Sequence, residues 1–83
     1  MNDEQYQPIS CSAYDIYEIA IMRGQQLQLT WWDGRDRRSA SVTPLNLEIR
    51  DGAEYLIIGP LEENDPVRPI RLDRIIACTI VEP

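Results

Sequence analysis

Asp15 and Glu18, three residues apart, are the first side chains in this 83-residue chain whose type and spacing invite a chemical reading. They lie in "YQPISCSAYDIYEIA", residues 6–20, a stretch with no basic residue of its own. Paired carboxylates can bind a metal or share a proton, but both tasks need burial or further ligands. On an outward helix face such a pair is far more often a pair of solvated charges. Histidine is absent, which removes His-based general acid–base work and Ser-His or Cys-His nucleophiles. Cys11 and Cys78 are far apart and form no CxxC pair, so a metal site is not expected. A disulfide between the two ends is possible on count, but two reduced, half-buried thiols are expected. No Walker-type or GxGxxG loop occurs, and Gly34, Gly52 and Gly59 read as turn glycines. The expectation is a protein without catalytic residues, metal or cofactor, and not an enzyme.

A second constellation is "GRDRRS", where Arg35, Arg37 and Arg38 follow Trp31 and Trp32. Arginines beside aromatics can hold single-stranded nucleic acid by stacking and phosphate contact. Asp33 and Asp36 dilute the patch, and a charged hairpin tip that discourages edge-to-edge pairing is the favoured reading.

The elements that must position these residues follow from periodicity. Residues 1–10 read as an extended arm, tacked down by Tyr6 and Ile9. Ser10 or Ser12 can cap a helix, with acidic residues following to suit the positive end of its dipole. Gly24 is a natural stop, and Arg23 sits in the last turn. A helix is therefore expected over about 12–23. At roughly 100° per residue, Ala13, Ile16, Tyr17, Ala20 and Ile21 share a core-facing arc. Asp15, Glu18 and Met22, flanked by Tyr14 and Ile19, face outward.

After Gly24 the period becomes two. Leu27, Leu29 and Trp31 fall on one side of a strand, and Asp33-Gly34 signals a hairpin. The return strand spans "RDRRSASVT", with Ala40 and Val42 facing together and Pro44 at its end or at an edge. Leu45, Leu47 and Ile49 alternate, a turn follows at Arg50-Asp51-Gly52, and Tyr55 to Ile58 form a strong strand that Gly59-Pro60 ends. "LEENDPVRP" is an acidic loop carrying Glu62, Glu63 and Asp65, favoured as a plain solvated loop. "IRLDRIIACTIV" reads as two strand pieces, about 68–72 and 75–81, bent at Asp73-Arg74. The fold expected is mainly β with one N-terminal helix, a five-stranded bent barrel over about 25–81, in a single domain spanning 1–83.

Composition limits the partners. The chain carries 14 acidic and 8 basic residues, for a net charge of −6, and every basic residue is arginine. Such a chain should be repelled by a nucleic-acid backbone unless its arginines cluster strongly, and drawn instead to basic surfaces. The hydrophobic share of 43% suits a folded domain. No apolar run approaches the roughly 18 residues a bilayer span needs. "MNDEQYQP" lacks the charged and apolar regions of a signal peptide, so the cytoplasm is the expected compartment.

Four segments together carry a family resemblance: "YQPISC..YD..EIA", "LQL...DG", "EYLII" at 54–58 and "IRLDRI" at 70–75. In this order and at these spacings, the chain resembles the Rho-binding antiterminator family, Rof, also called YaeO, from Tyr6 to about Val81. The resemblance implies a small acidic cytoplasmic bacterial protein with an Sm-like fold. Its partner would be the N-terminal RNA-binding domain of the hexameric termination factor Rho, and by occluding the primary RNA-binding site it would inhibit termination. The helix residues matching the family's contact surface are Tyr14, Asp15 and Glu18, with Ile19 and Met22 beside them as apolar anchors. A further contact region corresponds to about Asn46 to Gly52, including Arg50 and Asp51. A monomer when free, with no direct contact to nucleic acid or membrane, is expected. Two other classes stay open: an Sm-like RNA-binding module using Trp32 and the 35–38 arginines, and an acidic inhibitor of a different nucleic-acid-binding protein.

Overall fold

The computed structural model of the chain describes residues 7 and 9–81. The expected role of Tyr6 lies outside the described residues. One helix, α1 (Cys11–Arg23), precedes six strands: β1 (Leu27–Trp32), β2 (Arg37–Val42), β3 (Pro44–Arg50), β4 (Ala53–Ile58), β5 (Arg68–Arg71) and β6 (Ile75–Ile80). A 3-10 turn, Leu72–Arg74, separates the last two.

The helix ends have local causes. The Ser10 side chain accepts a hydrogen bond from the Ala13 amide at 3.2 Å, satisfying one of the donors that a helix start leaves open. With Ser10 as the cap, the first turn holds no acid. Asp15 lies beyond it, so the expected dipole contribution is lost. At the other end Gly24 is left-handed, with φ 66°. The Gln25 amide reaches the Ala20 carbonyl at 2.9 Å and the Gly24 amide reaches that of Ile21 at 3.3 Å, the paired closure of a Schellman motif.

The strands form two antiparallel sheets, β2-β1-β6 and β3-β4-β5. This corrects the closed five-stranded barrel. β5 and β6 are not one bent strand but members of different sheets. Their divergence has a visible cause: Arg71 grips Asp73 across the turn, Nη2 to Oδ2 at 2.7 Å and Nε to Oδ1 at 2.9 Å. That fork folds the chain back at Leu72–Arg74 and redirects it into the other sheet. The β2–β3 crossing is shorter still, a single residue, Thr43.

The hairpins differ from one another. Between β3 and β4, Asp51 and Gly52 both have positive φ, 50° and 80°, the backbone that a two-residue type I′ turn requires. Asp33-Gly34 instead opens a four-residue loop, because Trp32 pairs with Arg37. The Asp33 carboxylate accepts the Arg35 and Asp36 amides, each at 2.8 Å. β2 therefore starts at Arg37, two residues later than the sequence pattern indicated. The acidic loop is likewise closed by one of its own acids. The Asp65 carboxylate accepts the Glu62 amide at 3.2 Å and pairs with Arg68, while Glu62 and Glu63 stay exposed.

One core joins the parts. Leu27, Leu29, Trp31 and Val42 from the first sheet meet Leu56, Ile58 and Ile70 from the second, with Leu72, Tyr17 and Ala20 completing the cluster. The inward alternation of β1 is as expected. On β3 Leu47 packs on this core, whereas Leu45 and Ile49 are exposed. The helix arc is also turned from its expected centre. Tyr17 and Ala20 are buried, Ala13 and Ile21 half-buried, but Ile16 is 37% exposed and Tyr14 packs on the core instead. Burial pushes the Tyr17 phenol up to about 12, with Cys78 beside it adding to the effect. Both cysteines are free. Cys78 is half-buried, and burial raises its thiol, whereas Cys11 is exposed rather than half-buried.

Asp73 also accepts the Gln7 amide at 2.9 Å, so it ties the N-terminal arm to the turn. Burial alone would raise its carboxyl, but the hydrogen bonds from Arg71 and Gln7 and the charges of Arg71 and Arg74 outweigh burial and hold it below the usual range. A depressed carboxyl stabilises the fold fully above its unfolded value near 4, and the stabilisation fades as pH falls from there toward the folded value. Asp73→Asn is expected to cost about 2 kcal/mol at neutral pH, because the half-buried ion pair with Arg71 is lost. Urea unfolding at neutral pH and in acid checks this: the variant's deficit should shrink below about pH 4.

Candidate functional site

Residues 14, 18 and 22 stand one turn apart along α1, and a 3.6-residue period stacks them in one stripe. α1 packs against β3, so the stripe runs beside that strand. Between them opens a groove of about 410 Å³, lined by Tyr14, Glu18, Ile21, Met22, Asn46 and Leu47. Met22 is 82% exposed at its rim. A second hollow of about 260 Å³ adjoins it at Tyr14, with Asp15 and Glu54 in its walls.

The structure thus gathers Tyr14, Glu18, Met22 and Asn46 around one groove and sets Asp15 in the next. Ile19 is exposed but lines neither hollow. Arg50 and Asp51 do not line them either; they sit at the β3–β4 turn. Arg50 is engaged locally, with Nη2 on the Glu48 carboxylate at 2.7 Å and its guanidinium 5.8 Å from the Tyr55 ring centre. Tyr14 does not simply face outward. It is half-buried, one side against the core and the other forming the floor shared by both hollows.

Sequence reasoning missed Glu54. It shares strand parity with Leu56 and Ile58, both fully buried, so an acid there stands at the inward-facing end of a core strand. That anomaly was a readable signal. Its effect is electrostatic: the Tyr14 phenol is held above its ordinary value first by burial, then by the charges of Glu54 and Glu18. The site is therefore an aromatic floor ringed by carboxylates. It can offer acceptors to cations and an apolar surface to a side chain. Among the described residues, no group of three or more His, Cys, Asp or Glu is placed to hold a metal ion. No helix among them is long and apolar enough to cross a membrane.

Fold and site together define a small, mainly β domain with one helix and an open, acid-rimmed groove beside it. No family model matches the chain. It is similar to protein rof of Escherichia coli (strain K12) and to protein rof of Shigella flexneri. Each is 36% identical over 75 residues, which cover 90% of this chain and 81% of the relative. The chain belongs to the Rof family.

The ring of acids has a spectroscopic consequence. Glu54→Gln should bring the Tyr14 phenol back toward its ordinary value of about 10, and Glu18→Gln should do so less. A pH titration of the tyrosine ring carbons by NMR reads this directly. An unmoved Tyr14 in both variants contradicts the electrostatic geometry.

Proposed function

We propose that this protein inhibits Rho-dependent transcription termination. In this reading it binds the N-terminal RNA-binding domain of Rho and covers the primary RNA-binding site, acting in the cytoplasm as a monomeric competitor with no catalytic step. The observation that carries the proposal is the convergence of Tyr14, Glu18, Met22 and Asn46 on one groove in a chain of the Rof family.

The chemistry is that of a mimic. A surface that holds RNA must present cations for phosphates and apolar or aromatic pockets for bases. Asp15 and Glu18 meet such cations with charge-assisted hydrogen bonds. Tyr14 and Met22 supply the apolar contact on which binding energy concentrates. The net charge of −6 steers approach to a basic partner and makes association fall with salt. In this reading Arg50 and Asp51, at the β3–β4 turn outside the groove, contribute to the interface only at its periphery, and the family resemblance alone supports their part.

A filter-binding competition between this protein and labelled pyrimidine-rich RNA for Rho tests the proposal. The wild type should displace the RNA. Asp15→Lys and Glu18→Lys should each raise the half-displacing concentration by about tenfold or more, a loss of roughly 1.4 kcal/mol, with the circular dichroism spectrum unchanged. Arg38→Ala should have little effect. Failure of the wild type to displace RNA removes the proposed function. Full displacement by the double reversal removes the proposed site.

A further inference from the structure

Three arginines meet where the two sheets diverge. A cleft of about 450 Å³ opens there, with Trp32, Tyr55, Arg68, Arg71 and Arg74 in its walls and Asp33 at one end. Its size falls within the roughly 300–1,000 Å³ of small-molecule sites. It shares no residue with the acidic groove beside α1.

Each wall has a definite role. Trp32 ends β1 with 45% of its surface exposed, so an indole is open to the cleft. Tyr55 stands opposite Arg71 in the β4–β5 register. The Arg71 guanidinium is committed to Asp73 and forms a fixed wall. Arg74 has no salt bridge among the described residues, and Arg68 reaches Asp65 only at 3.9 Å. Two guanidinium groups with donors to offer therefore stand beside an exposed aromatic. Asp73 and Asp65 offset part of this positive charge from beside the cleft, which leaves guanidinium donors on Arg74 and Arg68 for an anion.

We infer that this cleft binds one nucleotide unit, its base stacked on Trp32 and its phosphate held by Arg74 and Arg68. Guanidinium forks match phosphate oxygens in geometry. Base–aromatic stacking accepts any base, because every base has a π-face. The negative charge over the rest of the chain opposes a long phosphate track, which confines recognition to a single unit. That unit can be a free nucleoside monophosphate or one residue of a single strand. The arginines at the 35–38 hairpin tip are not part of it.

Both tryptophans of the chain line the cleft, so intrinsic fluorescence reports on it. Titration with uridine 5′-monophosphate should give saturable quenching, and uridine without phosphate should bind at least about tenfold more weakly. Arg74→Gln should weaken monophosphate binding about tenfold, and Trp32→Ala, read by calorimetry, by a similar factor. Glu18→Lys should leave it unchanged. A hexauridylate that binds tenfold tighter than the monophosphate, at a common salt concentration, assigns the site to a single strand; equal affinity assigns it to free nucleotide. Absence of saturation by either probe to about 10 mM, uridine binding as well as its monophosphate, or full affinity in both folded variants overturns the inference.

Discussion

Neither sheet of this protein can bury a face alone. Three short strands in isolation are marginal in water, and the two sheets share one core with a single helix. Leu27, Leu29, Leu56, Ile58 and Leu72 are fully or nearly fully buried, and Ala20 allows the helix backbone to approach them closely. Everything at the candidate site follows from that shared core. Seating Tyr17 and Ala20 determines which way α1 is rotated, and the rotation decides that Tyr14 lies half under the helix while Glu18 and Met22 rim the groove. The crossing at Leu72–Arg74 is the second dependency. The Arg71–Asp73 pair that bends it also sets Arg74 into the cleft between the sheets and holds the N-terminal arm through Gln7.

The charge distribution divides the molecule. Asp15, Glu18 and Glu54 gather near the helix around the Tyr14 ring. Most arginines lie on the other elements, at the β1–β2 tip, on β5 and in the turn after it. A net charge of −6 averages over this separation and hides it. A chain that is acidic overall can therefore present an acidic groove to one partner and a basic, aromatic cleft to another ligand.

Much of the fold was legible in the sequence, for identifiable reasons. Leu27, Leu29 and Trp31 alternate without interruption, and all three are buried. Gly24 and the Asp51-Gly52 turn are positions where the backbone needs φ above zero, and glycine advertises that need. Periodicity says which residues share a face but not whether anything covers it. That is why Ile16, placed on the core-facing arc, is 37% exposed. The split of β5 from β6 depended on an ion pair two residues apart, which no periodicity encodes. At the site, helical spacing united Asp15, Glu18 and Met22 on one outward face with Tyr14 on its flank; the structure instead sets Tyr14 with Glu18 and Met22 in one groove and Asp15 in the next hollow. Asn46 joined them through the family resemblance, and Arg50 and Asp51 came with it although the turn holds them apart. Glu54 and the inter-sheet cleft needed contacts between segments remote in sequence.

The most direct measurement is an amide NMR map of this protein titrated with the N-terminal RNA-binding domain of Rho. Signals of Tyr14, Asp15, Glu18, Met22, Asn46 and Leu47 should shift or broaden together, while those of Trp32, Arg68 and Arg74 stay in place. Perturbation confined to the inter-sheet cleft, or none at a Rho concentration that saturates its RNA, contradicts the account.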